Sequence, residues 1–150
     1  MNHIDNIKTE ALGIGACAKI EDVADYESLV KLFFSPQGRE FCRNNNYPSL
    51  EVFRKIKEGV RPYRVFVDAG DIEVYNEPYI ALVGDTHAKI KIRGVESLYH
   101  ILLMHGATAD VRARHYAVVS IENISGGDVA IDNDKTTKVH YEHQSNGSHR

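Results

Sequence analysis

Eight histidines, 21 carboxylate residues and two cysteines in a chain of 150 residues raise the question of metal, acid–base or nucleophilic chemistry. His87, His100, His105 and His115 lie in the second half, and His140, His143 and His149 near its end. Imidazole and thiolate bind zinc when they recur at tight spacing, as in H-E-x-x-H or paired C-x-x-C. Neither pattern occurs here, so no metal and no cofactor is expected. The candidate ligand-binding set is instead Asp68, Asp85, His87 and His105. These residues sit at breaks after short apolar runs, in "VFVDAG", "LVGDTH" and "LLMHGA". If such runs stack, Asp68, Asp85 and His105 form one column of turn residues that could bind a cation or polarise a substrate. The plainer reading is a solvated row of turns.

Other chemistry finds less support. "GDTH" (84–87) contains a threonine and a histidine, but nothing supplies a neighbouring base at triad geometry. "GIG" (13–15) follows no strand and lacks the third glycine of a phosphate-binding fingerprint. A solenoid acyltransferase needs an aliphatic residue at every sixth position, and "LVGDTHAKIKI" does not keep that step. "RKIK" (54–57) reads as the wet face of an amphipathic helix rather than a nucleic-acid patch. A formal net charge of -3 gives no case for nucleic acid or an anionic membrane. No apolar run approaches the roughly 20 residues that span a bilayer.

The elements that must position these residues change character near residue 60. Before it the period is helical. "EDVADYESLVKLFF" (21–34) places Val23, Tyr26, Leu29, Val30 and Phe33 on one stripe, with Glu21 and Asp22 at its start. Ser35 and Pro36 then suit an N-cap and first helical residue, with Phe41 and Cys42 inward and Asn44 to Asn46 at the end. Ser49 caps a further helix bearing Leu50, Phe53 and Ile56, which Gly59 should stop. A short helix around Ile4 to Leu12 makes three or four in all. Cys17 and Cys42 are expected as buried, reduced, inert thiols, which suits an intracellular, cytoplasmic protein. "IGAC" resembles a lipoprotein cleavage box, but what precedes it lacks a basic start and an apolar core.

After residue 60 the grammar is that of strands: "RVFVDAGDIEV", "AKIKI", "ADVRA", "YAVVSIE", "DVAI" and "KVHYE". Lys89, Lys91, Asp110, Arg112 and Asp128 fall on a polar face, and Ile90, Ile92, Val111, Ala113, Val129 and Ile131 on an apolar one. Aligned on Tyr63, Tyr79, Tyr99 and Tyr116, the region divides into units of 16, 20, 17 and 20 residues, and "TKVHYE" begins a fifth. Repetition near 20 residues in short strands points to a β-solenoid, whose coils bury a column that no single coil can bury alone. The alternative is an antiparallel meander or roll packed on the helices. Tight hairpins favour Asn-Gly or Asp-Gly turns, and this region has neither. Val111, Ile90 and Val129 are expected at equivalent inward positions, and the leading tyrosines as core and stacking ladders.

The segments "ALGIGAC", "FCRNNNYPSLEVF" and "VFVDAGDIEV", followed by short strand repeats, resemble a group of small proteins from prophages and mobile elements of gut anaerobes. The shared motifs are structural. The resemblance implies architecture and a virion or mobile-element component, but no activity.

The sequence thus predicts an α+β protein: a helical cap over residues 1–59, a short β-solenoid over 60–142 and a polar tail over 143–150. Such a solenoid suits a non-enzymatic structural or interaction module, with a protein partner or self-association through the last strand or an adjacent flat sheet face. The alternative is a small-ligand or metal-binding protein, or an enzyme, using the turns around His105 and Asp85.

Overall fold

The computed structural model describes residues 2–143; His149 and the tail beyond His143 lie outside the described residues. The chain is α+β, with helices followed by a parallel β-solenoid. It divides into two compact units between Val65 and Phe66.

The helical unit is built by local signals. Helix α1 (His3–Gly13) starts at Asn2, whose side chain accepts from the Asp5 N–H. Helix α2 (Tyr26–Phe34) is shorter than its apolar stripe suggested. Residues Ala18–Asp22 form a 3₁₀ turn instead, and the true start is a capping box in which Asp25 and Ser28 satisfy each other's N–H groups. Helix α3 (Pro36–Asn45) begins as expected, with Ser35 accepting from Gly38 and Pro36 in the first turn. It ends at Asn46 in the left-handed region. Ser49 caps α4 (Leu50–Lys55) by accepting from Val52.

Gly59 does not stop the chain. It lies within α5 (Lys57–Val60), where a Cβ would come within 2.4 Å of the Tyr26 ring. Its smallness is used for close packing rather than for a turn. Burial, and then a 2.8 Å hydrogen bond to Glu10, push the Tyr47 phenol well above its ordinary pKa. Both cysteines are free thiols. Cys42 is buried on α3, but Cys17 is exposed, because it sits in extended backbone just ahead of the 3₁₀ turn rather than on a helical face.

The β unit contains two sheets. One holds β1 (Val65–Val67), β3 (Tyr79–Val83), β5 (Leu98–Met104), β7 (Val118–Asn123) and β9 (Lys138–His143), in that order. The other holds β2 (Gly70–Tyr75), β4 (Thr86–Arg93), β6 (Thr108–Arg114) and β8 (Val129–Asn133). From β2 onward each strand pairs in parallel with the strand two further on. This excludes an antiparallel meander, whose consecutive strands would pair. The "RVFVDAGDIEV" run is two strands broken at Asp68 and Ala69.

The core lies between the sheets. The odd-numbered strands contribute large residues, Ile80, Leu82, Tyr99, Ile101, Leu103 and Ile121. The even-numbered strands place Ala88, Ala109 and Ala113 beside Ile90, Ile92 and Val111. Large and small residues can thus interdigitate at interior density. The even-numbered sheet keeps the expected alternation, buried and exposed residues succeeding one another along β4. The odd-numbered sheet does not, since Ala81, Val83, Leu102 and Met104 point away from the core and are buried as well.

Two expectations about register need correction. Tyr79 pairs with His100, not Tyr99, and a slip of one residue turns a side chain to the opposite face. Tyr99 is therefore 2% exposed in the core, whereas Tyr79 is 46% exposed and stacks on His100 with ring centroids 5.1 Å apart. Tyr116 lies in a turn at positive φ. The tyrosines are not a ladder. Ile90 and Val111 are indeed paired inward neighbours, but the next member of their row is Ile131, and Val129 instead continues from Ala109.

Candidate functional site

The solenoid corner after each odd-numbered strand holds the sequence-selected residues. The first corner position is left-handed in three successive coils: Asp68 at φ 49°, Gly84 at φ 69° and His105 at φ 58°. Their N–H groups bond to the next coil in the same manner, Asp68 to the Val83 carbonyl and Gly84 to the Met104 carbonyl, while His105 donates to Ser125 Oγ. Aspartate and histidine tolerate this conformation better than most side chains. Asp68 and His105 are thus equivalent, but the residue between them is Gly84. Asp85 lies one position further along and leaves the expected column broken.

What the stacking does bring together is Asp68, Asp85 and His87, with Thr108 as a fourth member. Asp68 Oδ1 accepts from the Asp85 N–H at 2.8 Å. Asp85 Oδ1 lies 2.9 Å from His87 Nε2, and His87 Nδ1 lies 2.7 Å from Thr108 Oγ1. The register sets His87 between Asp71 and Thr108 on the outward face of the even-numbered sheet. Carboxylate, imidazole and hydroxyl therefore form a continuous hydrogen-bonded relay across two coils. A neutral imidazole so placed can accept the hydroxyl proton while the carboxylate fixes its tautomer. Both His87 and Asp85 are solvent-exposed. Among the described residues, no group of three or more His, Cys, Asp and Glu side chains is arranged to hold a metal ion.

Behind this relay sits Thr86, fully buried. Its hydroxyl bonds to the Phe66 and Val83 carbonyls at 3.1 and 2.9 Å and accepts from the Ala69 N–H at 3.0 Å. It ties two coils together at the corner. Asn123 does similar work two coils on: Oδ1 accepts from the Gly126 N–H, and Nδ2 donates to the Gly127 carbonyl and to the Tyr141 hydroxyl. The local bonds, to Val83 and to Gly126 and Gly127, lie within one turn of chain, but the ties between coils, to Phe66, Ala69 and Tyr141, are set by register and are not visible in sequence.

The opposite corner holds residues that no motif marked. Tyr75, Asn76, Lys91, Ile92, Arg93, Arg112, Arg114 and His115 line an open cleft of about 260 Å³. The sequence signal was present in the alternation "KIKIR" and "VRAR". Only stacking shows that the two runs lie side by side.

No protein-family model matches the chain, and neither does any curated protein or solved structure. Among the described residues, no helix is long and apolar enough to cross a membrane.

Proposed function

We propose that the β unit is a non-enzymatic self-association module, in which the last coil of one copy pairs with the last coil of another. The observation that carries this reading is the state of the core at that end. Among the described residues, β9 and β8 each have a strand on one side alone. Val129, Ile131 and Val139 are half-buried where Ala109, Val111 and Val119, their counterparts one coil earlier, are fully buried. Tyr141 stands 39% exposed. An apolar layer beside a row of unpaired N–H and C=O groups favours a further strand.

The strand's own charges favour a second copy as that partner. Lys138, His140 and Glu142 alternate with Val139 and Tyr141. In a two-fold, antiparallel pairing of β9 centred on His140, Lys138 of one copy lies opposite Glu142 of the other, twice over. Val139 then lies opposite Tyr141 on the core side. A two-fold interface is self-complementary in this sense, and opposite charges across strands stabilise it.

Light scattering at micromolar concentration tests the reading. The parent chain should give the dimer mass, Lys138→Glu the monomer mass, and Lys138→Glu combined with Glu142→Lys the dimer again. A monomeric parent, or a double variant that stays monomeric while the single variant does, overturns it. A virion or mobile-element role would be a special case of such assembly and rests on the sequence resemblance alone.

A second reading is favoured by the Asp85–His87–Thr108 relay: a small-ligand site or a hydrolytic centre on the same unit. Turnover of an activated ester that His87→Ala and Thr108→Val both abolish would establish it. Equal background rates for parent and variants would leave the relay as a bridge between coils.

A further inference from the structure

We infer that the cleft at the second solenoid corner is a binding site for a phosphate-bearing ligand. Register places Lys91 directly beside Arg112, and Arg93 directly beside Arg114, on the outward face of β4 and β6. Adjacent strands lie about 4.8 Å apart, so like charges occupy directly neighbouring positions, an arrangement that costs stability on its own. The neighbouring row on the same sheet shows how the fold neutralises itself elsewhere. There Glu73, Lys89 and Asp110 follow one another with alternating sign. In the cleft row the sequence is Tyr75, Lys91, Arg112, and a carboxylate arrives only at Asp132 in the next coil.

That carboxylate is shared. Asp132 pairs with Arg112 at 3.4 Å and with Arg114 at 3.0 Å. Lys91 rests over the Tyr75 ring, 5.5 Å from its centroid. Arg93 places Nη2 2.7 Å from His115 Nε2, so a guanidinium donates to an imidazole nitrogen. The residues lining the cleft include four permanent cations and no acidic residue; the carboxylates that act on them stand beside it, Asp132 on Arg112 and Arg114, Glu73 on Lys91, and Asp134 on Arg114. This stands against a chain whose formal net charge is -3, so the excess is local rather than general.

An oxyanion with two or more negative charges fits this surface. Guanidinium groups bind phosphate oxygens through paired N–H donors, and the ammonium of Lys91 adds a point charge. Tyr75 and Asn76 also line the cleft and can contact whatever the phosphate carries. Bound anion would also relieve the Lys91–Arg112 and Arg93–Arg114 repulsions, so binding should stabilise the folded chain.

Calorimetric titration of the full chain with inorganic pyrophosphate, and separately with inorganic phosphate, tests the site. Pyrophosphate should bind saturably, one per chain, with an affinity that weakens as salt is added. Lys91→Ala and Arg93→Ala, both at exposed positions, should each weaken binding about tenfold or more, the loss of one charged hydrogen bond. Lys89→Ala removes the same charge from the neutralised row and should change affinity less than twofold. If phosphate binds as tightly as pyrophosphate, one free phosphate group is enough; if only pyrophosphate binds, the ligand carries linked phosphates. Absence of saturable binding to either anion overturns the inference, as does a Lys89→Ala loss equal to that of Arg93→Ala.

Discussion

The two units hold their shape by interactions of very different reach. In the helical unit the hydrogen bonds that cap the helices span three residues: Asp5 to Asn2, Ser28 to Asp25, Gly38 to Ser35 and Val52 to Ser49. In the β unit the paired residues lie 16 apart at Gly70 and Thr86, 21 apart at Tyr79 and His100, and 20 apart at Val118 and Lys138. A helix end is thus settled by a few neighbouring residues, whereas a coil acquires its core only when the next one arrives. Disruption should therefore stay local in the first unit and spread in the second.

The largest effect should come from the centre of the stacked column. Val111 is fully buried, with Ile90 and Ile131 on either side in its row. Val111→Asp places an unpaired carboxylate there and should cost several kcal/mol, enough to abolish cooperative unfolding of the β unit. Circular dichroism melts of this variant and of Arg112→Ser, the adjacent outward position, would show the contrast. A Val111→Asp melt within a degree of the parent would break the comparison.

Thr86→Val should come next. The change keeps the shape but removes a buried hydroxyl with three hydrogen-bond partners, leaving the part-buried Ala69 N–H unsatisfied. A loss of about 1–3 kcal/mol in urea unfolding is expected. It should appear across the β unit, since the hydroxyl joins residues of two coils.

Ser35→Ala probes the other unit. Losing this cap should cost about 1 kcal/mol, and hydrogen exchange should accelerate in the first turn of α3 while β4 to β7 remain unchanged. Spread of the effect into the strands would mean that the two units unfold together.

The smallest effect is expected at Asp25. The hydrogen bond from the Ser28 backbone, followed by that from its side chain, holds the carboxyl below its ordinary pKa. Its contribution is thus fully present above the ordinary carboxylate range and is lost as pH falls through the depressed value. Acidification should fray the start of α2, seen as faster exchange at Ser28 and Leu29, and Asp25→Asn should remove most of that pH dependence. An unchanged profile in Asp25→Asn would show that another group governs it.

Legibility followed the same division. Ser35, Pro36 and Ser49 were readable because a cap and its partner lie within one turn of each other. Asp25 was missed in favour of Glu21 and Asp22, since the apolar stripe continues through a 3₁₀ turn whose period differs little over five residues. Solenoid architecture was readable from the recurrence of short strands, but the tyrosine alignment failed because corners of unequal length shift the frame. The left-handed positions Asp68, Asn76, His105 and His115 are themselves not glycine, and the corners at Asn76 and His115 carry no glycine to mark them. Of the candidate site, Asp85 and His87 are close in sequence and meet in space, while Thr108 and the cleft residues could be associated with their partners only through register.

The sequence by itself determined the change from helical to strand period, most of the helix starts, and the alternation that puts Ile90, Ile92 and Val111 inside. These depend on the backbone's own periods and on hydrogen bonds within a turn. Tertiary structure decided which residues share a row: Tyr99 inward and Tyr79 outward, His87 beside Thr108, and Lys91 beside Arg112. The physical reason is that parallel register depends on how many residues each corner consumes, and the packing of the stacked core fixes that number.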